Sequence, residues 1–144
     1  MVGIKRTILI NRPVHEVFAY FADVTNDPQW RGDVVKEIAV SGTMDQGARV
    51  HQRLAAGPFG AVVRADMDVV AYDPPTTLAF QVTTGPLKPR VEFRFSRAAT
   101  GTEVTFSIDA PLAGVKKAVM GRMAQTSMAT EAAALDNAKR ILET

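Results

Sequence analysis

The stretch LAGVKKAVMGRMAQTSMATEAAALDNAKRILE, residues 112–143, decides how the rest of the chain is read. Its length and composition predict one helix from Leu112 to Glu143, about 45 Å long at the usual rise per residue. At 100° per residue, Met120, Met123, Ala124, Ala134, Leu135, Ala138, Ile141 and Leu142 gather on one broad side, while Arg122, Gln125, Asp136, Lys139 and Arg140 fall outside it. Gly114 and Gly121 each cost about 1 kcal/mol against alanine in a helix interior, which favours a start later than Leu112. The apolar side is made of alanine and methionine more than of leucine and isoleucine. Small residues leave room and methionine fills irregular shapes, so this side is either the lid of a cavity or a surface that a sheet approaches closely.

The chain has 144 residues, 47% apolar and 22% charged, which suits one domain over residues 1–144 with a core of its own. The formal charge is +2, with Lys and Arg interleaved with Asp and Glu, and nothing suggests nucleic-acid binding. With no cysteine there is no disulfide framework, thiolate metal site or cysteine nucleophile. The segment Met1 to Arg12 lacks the apolar core and cleavage site of a secretion signal, and no run approaches the ~20 apolar residues of a membrane span. A soluble cytoplasmic protein is expected.

Ile4 to Ile10 reads as a strand that hands over at Asn11, Arg12 and Pro13 to a helix, since proline suits the first helical position. Val14, Val17, Phe18 and Phe21 keep the spacing of a buried helical stripe, leaving His15 and Glu16 in solvent. Asp23 to Trp30 is turn-rich and starts a second short helix carrying Trp30 inward. Then the period changes to two. Six β-like runs follow: Val34 to Val40, Arg49 to Leu54, Val62 to Tyr72, Leu78 to Thr83, Val91 to Arg97 and Glu103 to Asp109.

Alternation sorts their side chains into a concave apolar wall and a wet outer face that collects Arg49, His51, Arg53, Arg64, Asp66, Asp68, Glu92, Arg94 and Glu103. A hairpin closed at Gly57 to Gly60 sets His51 opposite Asp66 and Arg49 opposite Asp68, which makes His51 a structural residue. The paired valines at Val62-Val63 and Val69-Val70 permit a bulge, and a slip of one residue there would turn both aspartates inward. The loops with Phe59 and Leu87 at their tips mix Gly and Pro with a bulky apolar residue; they guard an entrance or pack on the long helix.

The stretch from Asn11 to Asp23, with Pro28 and Trp30 after it, resembles the opening of the polyketide cyclase/dehydrase group of the START-like, or SRPBCC, superfamily. Tyr72 to Phe80, with its Asp73-Pro74-Pro75 turn, and the ending Asn137 to Glu143 are similar to it as well. The resemblance covers essentially the whole chain. It implies the α+β helix-grip fold, as in the birch pollen allergen: a curved antiparallel sheet wrapped around a long C-terminal helix, with two short helices after the first strand. It also implies an apolar or aromatic small molecule bound between sheet and helix, with widely varying outcomes.

The expected cavity wall is Trp30, Gln52, Leu54, Met67, Phe80, Phe93, Phe95, Phe106, Met120, Met123 and Ser127, with Phe59 and Leu87 at the entrance. Gln52, the one clear polar side chain of the inward strand positions, either orients a ligand carbonyl or hydroxyl or is satisfied within the protein. Three functions follow: a binder or carrier of a lipid, polyketide or flat aromatic; a polyketide cyclase/aromatase or dehydratase-like enzyme; or a protein-interaction domain. Catalysis needs a proton donor or acceptor, and Glu131, near the middle of the apolar helix side with Ser127, is the candidate. No metal site or cofactor is expected, because His15 and His51 lie on different elements with no carboxylate cluster to join them. Edge strands and apolar loop tips leave a homodimer among the expected partners.

Overall fold

The computed structural model describes residues 2–144; Met1, at the head of the segment read for a leader, and the side chain of Pro58, in one loop tip, lie outside them. β1 (Val2–Ile10) enters at Pro13 a helix α1 (Val14–Ala22) that buries Val14, Val17, Phe18 and Phe21, the predicted stripe. A 3-10 turn (Val24–Asn26) leads to α2 (Asp27–Trp30). The sheet continues with β2 (Val35–Ser41), β3 (Arg49–Leu54), β4 (Val63–Arg64), β5 (Met67–Asp73), β6 (Thr77–Val82), β7 (Arg90–Ala98) and β8 (Gly101–Ala110). All pairings are antiparallel, in the order β1-β8-β7-β6-β5-β3-β2, with β4 set on β3 beside this path. With the helical C-terminus this is the expected helix-grip architecture.

The period-two reading places the faces. Val50, Gln52, Met67, Val69, Leu78, Phe80, Phe93, Phe95, Val104, Phe106 and Ile108 are buried on the concave side. On the outer face Arg49 lies opposite Asp68, with Nε 3.1 Å from the carboxylate. His51 sits with Nδ1 3.3 Å from Asp66 and Nε2 3.0 Å from the Ser41 hydroxyl, so it is a structural partner. A register shift does occur at Val70, between Val69 and Ala71. It falls after both aspartates, which therefore stay outside.

Two elements differ from expectation. The run Val62 to Tyr72 is two strands parted at Ala65 and Asp66, where Arg64 folds back to donate to Asp66. Asp66 is thus covered by its own partners, at 5% exposure, and the hydrogen bond from Arg64 holds its carboxyl below the usual range. The single helix is also two, α3 (Gly114–Ala133) and α4 (Leu135–Glu143), parted at Ala134. Arg6 is the physical reason: Nη1 donates to the Ala132 carbonyl at 2.9 Å and Nη2 to Asp136 at 2.6 Å, and a side chain that takes a ladder carbonyl interrupts a helix. The helical run starts at Gly114, whose φ of +61° suits glycine and places the start two residues after Leu112.

Gly101, the first residue of β8, packs against the backbone of the β1–α1 corner. A Cβ on Gly101 would lie 2.2 Å from the Ile10 carbonyl oxygen and 2.9 Å from the Arg12 nitrogen, both backbone atoms. Gly101→Ala is therefore expected to destabilise by at least about 2 kcal/mol, read as a lowered urea midpoint at unchanged slope.

Candidate ligand cavity

The concave wall and α3 do not close on each other. Between them lies a cavity of about 470 Å³. Phe80, Phe93, Phe106, Met67 and Ile108 supply its sheet side and Met120, Met123, Ser127 and Glu131 its helix side. These four helix positions recur at three- and four-residue spacing, so they form one stripe that runs from apolar to polar along the helix. The neighbouring stripe, Ala124, Met128 and Ala132, is buried. Lining residues that remain exposed, Ala56, Val63, Arg64, Gly85, Pro86, Lys88 and Met123, mark the mouth between two loops and α3.

At the other end is a buried charged cluster. Arg31, the residue that closes α2, has a side chain only 10% exposed, and those of Asp27 and Glu131 are 8% and 13% exposed. Its Nε and Nη2 donate to the two oxygens of Glu131 at 2.9 and 3.1 Å, a side-on bidentate pair. Its Nη1 donates to Asp27 at 2.9 Å and, at a long 3.4 Å, to the Gln52 side-chain oxygen. One guanidinium thereby ties α2 to β3 and α3. Its cation also lies 5.8 Å from the Trp30 ring centroid, and Asn137 of α4 donates to the Trp30 carbonyl at 3.1 Å.

Two carboxylates share one cation, and burial decides the outcome. Desolvation pushes the Asp27 carboxyl up to about 6, against the opposing pull of Arg31, whose charge is largely committed to Glu131. Burial would lower Arg31, yet Glu131 and then Asp27 outweigh it and hold the guanidinium above its usual value. The Trp30 indole N–H is buried with no well-aligned hydrogen-bond partner among the described residues, and its proximity favours the Asp27 carboxylate only weakly.

The structure places Trp30, Gln52, Leu54, Met67, Phe80, Phe93, Phe106, Met120, Met123, Ser127 and Glu131 around the cavity, and Leu87 at its mouth. Met123 is there only in part, at 57% exposure. Phe95 corrects the expected wall: it is buried behind it, with ring centroids 5.3 Å from Phe18 and 5.9 Å from Phe21. Phe59 does not reach the cavity either, and stands fully exposed at its loop tip. Glu131 points inward as expected, but both its oxygens are engaged by Arg31. Gln52 lines the cavity, with its side-chain oxygen facing Arg31 at 3.4 Å. Sequence reading missed Asp27 and Arg31. Their i, i+4 spacing around Trp30 was the available signal, and such a pair is ordinarily a solvated one. Among the described residues no group of three His, Asp or Glu side chains is placed to hold a metal ion.

The family model described as "Polyketide cyclase / dehydrase and lipid transport" matches residues 1–143. The chain belongs to that family. It is an SRPBCC protein of the polyketide cyclase/dehydrase type, a family whose description points to hydrophobic ligands. The solution structure of KanY protein (ms6282) is similar over 99% of this chain and 98% of that one, with a TM-score of 0.80 and 20% identity. TTHA0849 from Thermus thermophilus is similar over 98% and 97%, with a TM-score of 0.79 and 14% identity. The Aha1 dimer from Colwellia psychrerythraea is similar over 99% and 97%, with a TM-score of 0.69 and 16% identity. At these identities the likeness is one of fold. Among curated protein sequences, none matches this chain. No helix among the described residues is long and apolar enough to cross a membrane.

The raised Asp27 carboxyl has a pH signature. Its folded pKa lies above the unfolded value, so its contribution to stability is full below about 3.8 and is lost as pH rises through about 6. Between pH 4.5 and 7.5 this group is expected to remove on the order of 2 kcal/mol. Urea titrations across that range should show the loss as a difference between the parent and Asp27→Asn, which lacks it. Arg31→Leu, which strands two buried carboxylates, should cost about 3–5 kcal/mol in the same assay at pH 7.5.

Proposed function

We propose that this SRPBCC protein binds, and carries, a hydrophobic small molecule whose inserted end bears a neutral hydrogen-bond donor, as a single-domain cytoplasmic protein. The observation that carries this is the cavity itself, about 470 Å³, with an apolar wall between a polar inner end and a mouth that bears Arg64 and Lys88. That volume lies within the ~300–1,000 Å³ of small-molecule sites, which are likewise mostly apolar with few orienting polar groups. The site residues are those that line it, with Phe93, Phe106 and Met67 as the apolar bed and Gln52, Ser127 and Asp27 as the polar end. That end offers the Asp27 carboxyl and the Ser127 hydroxyl as acceptors. Arg31 is already engaged by Glu131 and Asp27, so a ligand carboxylate would meet no free cation and one surplus negative charge. A hydroxyl or phenol meets acceptors instead.

Native mass spectrometry with extraction of the bound molecule, followed by a lipid and aromatic screen, tests the reading. A stoichiometric apolar adduct supports it, and saturation by no library member refutes it. Within the screen, a hydroxyl-terminated ligand should bind at least about 10-fold more tightly than the same skeleton ending in a carboxylate. Ser127→Phe, which projects a ring into the cavity from the helix stripe, should lower affinity by at least ~10-fold while leaving the thermal midpoint equal or higher.

A second reading, polyketide cyclase or dehydratase-like catalysis, is favoured by Asp27, a cavity carboxyl raised to about 6 and so poised near neutrality for proton transfer. In that case Asp27→Asn should abolish turnover, whereas Glu131→Gln should lower it through the loss of Arg31's position. The edge strands β1 and β2 leave room for a homodimer, which a concentration-independent monomer mass would exclude.

A further inference from the structure

The first half of α3 is apolar on the wrong side for a helix that packs on a sheet. Val115 and Val119 are 81% and 74% exposed and, with Met123, follow one another at four-residue spacing on one face. Every residue from Ala113 to Val119 is exposed, so this part of the helix projects clear of the sheet. Phe59 faces solvent at the tip of the loop whose Ala56 and Gly57 line the mouth, on a backbone with φ of +56° that a bulky aromatic adopts at a cost. Among the described residues nothing covers it. Val63 and Met123 line the mouth, and Phe59, Val115 and Val119 lie on the same loop and helix, so among the described residues all the large exposed apolar side chains but Leu9 fall on segments that carry the entrance.

The charges around that ring are of one sign. Residues 55–64 and 83–90, the loops that frame the mouth, and 111–123, the part of α3 up to Met123, hold six of the seventeen basic residues and none of the fifteen acidic ones. The interleaving read along the whole sequence fails here. Arg64 and Arg90 are paired with Asp66 and Glu92, while Lys88, Lys116, Lys117 and Arg122 make no ion pair among the described residues. We propose that the cavity mouth docks on an anionic lipid bilayer, with Phe59, Val115 and Val119 entering the interface and Lys88, Lys116, Lys117 and Arg122 meeting the headgroups.

The charge pattern selects this occupant. A second copy joined about a two-fold axis would set the unpaired cations against themselves, because such an interface is self-complementary. An anionic interface instead satisfies cations and apolar side chains together, as it does for basic amphipathic helices at membrane surfaces. It also sets the entrance against hydrocarbon, so an apolar molecule would pass between bilayer and cavity without crossing water. Docking itself needs no ligand, so its failure and that of the binding reading are separately visible.

Co-sedimentation with vesicles of phosphatidylcholine alone, and of phosphatidylcholine mixed with phosphatidylserine, tests the proposal on the full chain. Partition onto the anionic vesicles should exceed that onto neutral ones by at least about 10-fold and fall as salt is raised. Phe59→Ser with Val119→Ser, and separately Lys116→Glu with Lys117→Glu, should each lower it by ~10-fold or more. All four side chains are exposed, and acidic residues suit a helix N-terminus, so unchanged circular dichroism is expected. Equal partition onto both vesicles, or variants that partition like the parent, would overturn the proposal. So would a concentration-dependent dimer that both variants abolish, which assigns the patch to a second copy, or capture by an acidic protein in place of vesicles.

Discussion

The geometry of the lower half of the molecule depends on one buried guanidinium. Arg31 reaches a carboxylate on its own helix, an amide on β3 and a carboxylate on α3, three elements far apart in sequence. Buried ion pairs of this kind contribute little net stability, because desolvation of the charges offsets most of their attraction. Their value is positional. A bidentate pair at 2.9 and 3.1 Å fixes Glu131, and with it the height at which α3 crosses the sheet.

Alanine and methionine on one helix side left two readings open in the sequence, lid or close-packed surface. Both are present, on adjacent stripes. Ala124, Met128 and Ala132 let α3 approach the β1 and β8 side of the sheet, helped by the Gln125 amide donating to the Gly3 carbonyl at 3.0 Å. One residue round the helix, Met120, Ser127 and Glu131 face open space. A stripe offset of 100° separates packing from cavity, so neither reading is available from composition alone.

Most of the fold was legible because it rests on local periodicity. The α1 stripe, the order of strands and the outward turn of His51 follow from spacing and from which residues make turns. Missed features rest on contacts between distant segments. Nothing near Ala134 announces a helix break, because its cause is Arg6 in the first strand. Asp27 and Arg31 look like a surface pair until Glu131, a hundred residues on, covers them. Phe95 obeys the alternation that put it on the concave face, but Phe18 and Phe21 of α1 occupy that part of the face and wall it off from the cavity.

The distribution of charge is the last consequence of these placements. At the inner end two carboxylates outnumber one guanidinium, and the surplus is tolerated because Asp27 is neutral for part of its time near pH 6. At the mouth only cations are found. A molecule lying along the cavity therefore meets acceptors at one end, hydrocarbon along its length and positive charge at the exit. Under the proposed function, such an arrangement would orient an amphipathic ligand without a single contact specific to its skeleton: a donor group would be drawn inward and an acidic group left outside, with the apolar body fitting either way. Selection by polarity at two ends, and tolerance between them, is what methionine and phenylalanine walls permit. Under the proposed function, the polarity gradient along α3 would thus do for the ligand what Arg31 does for the helix, fixing direction where packing alone would leave it free.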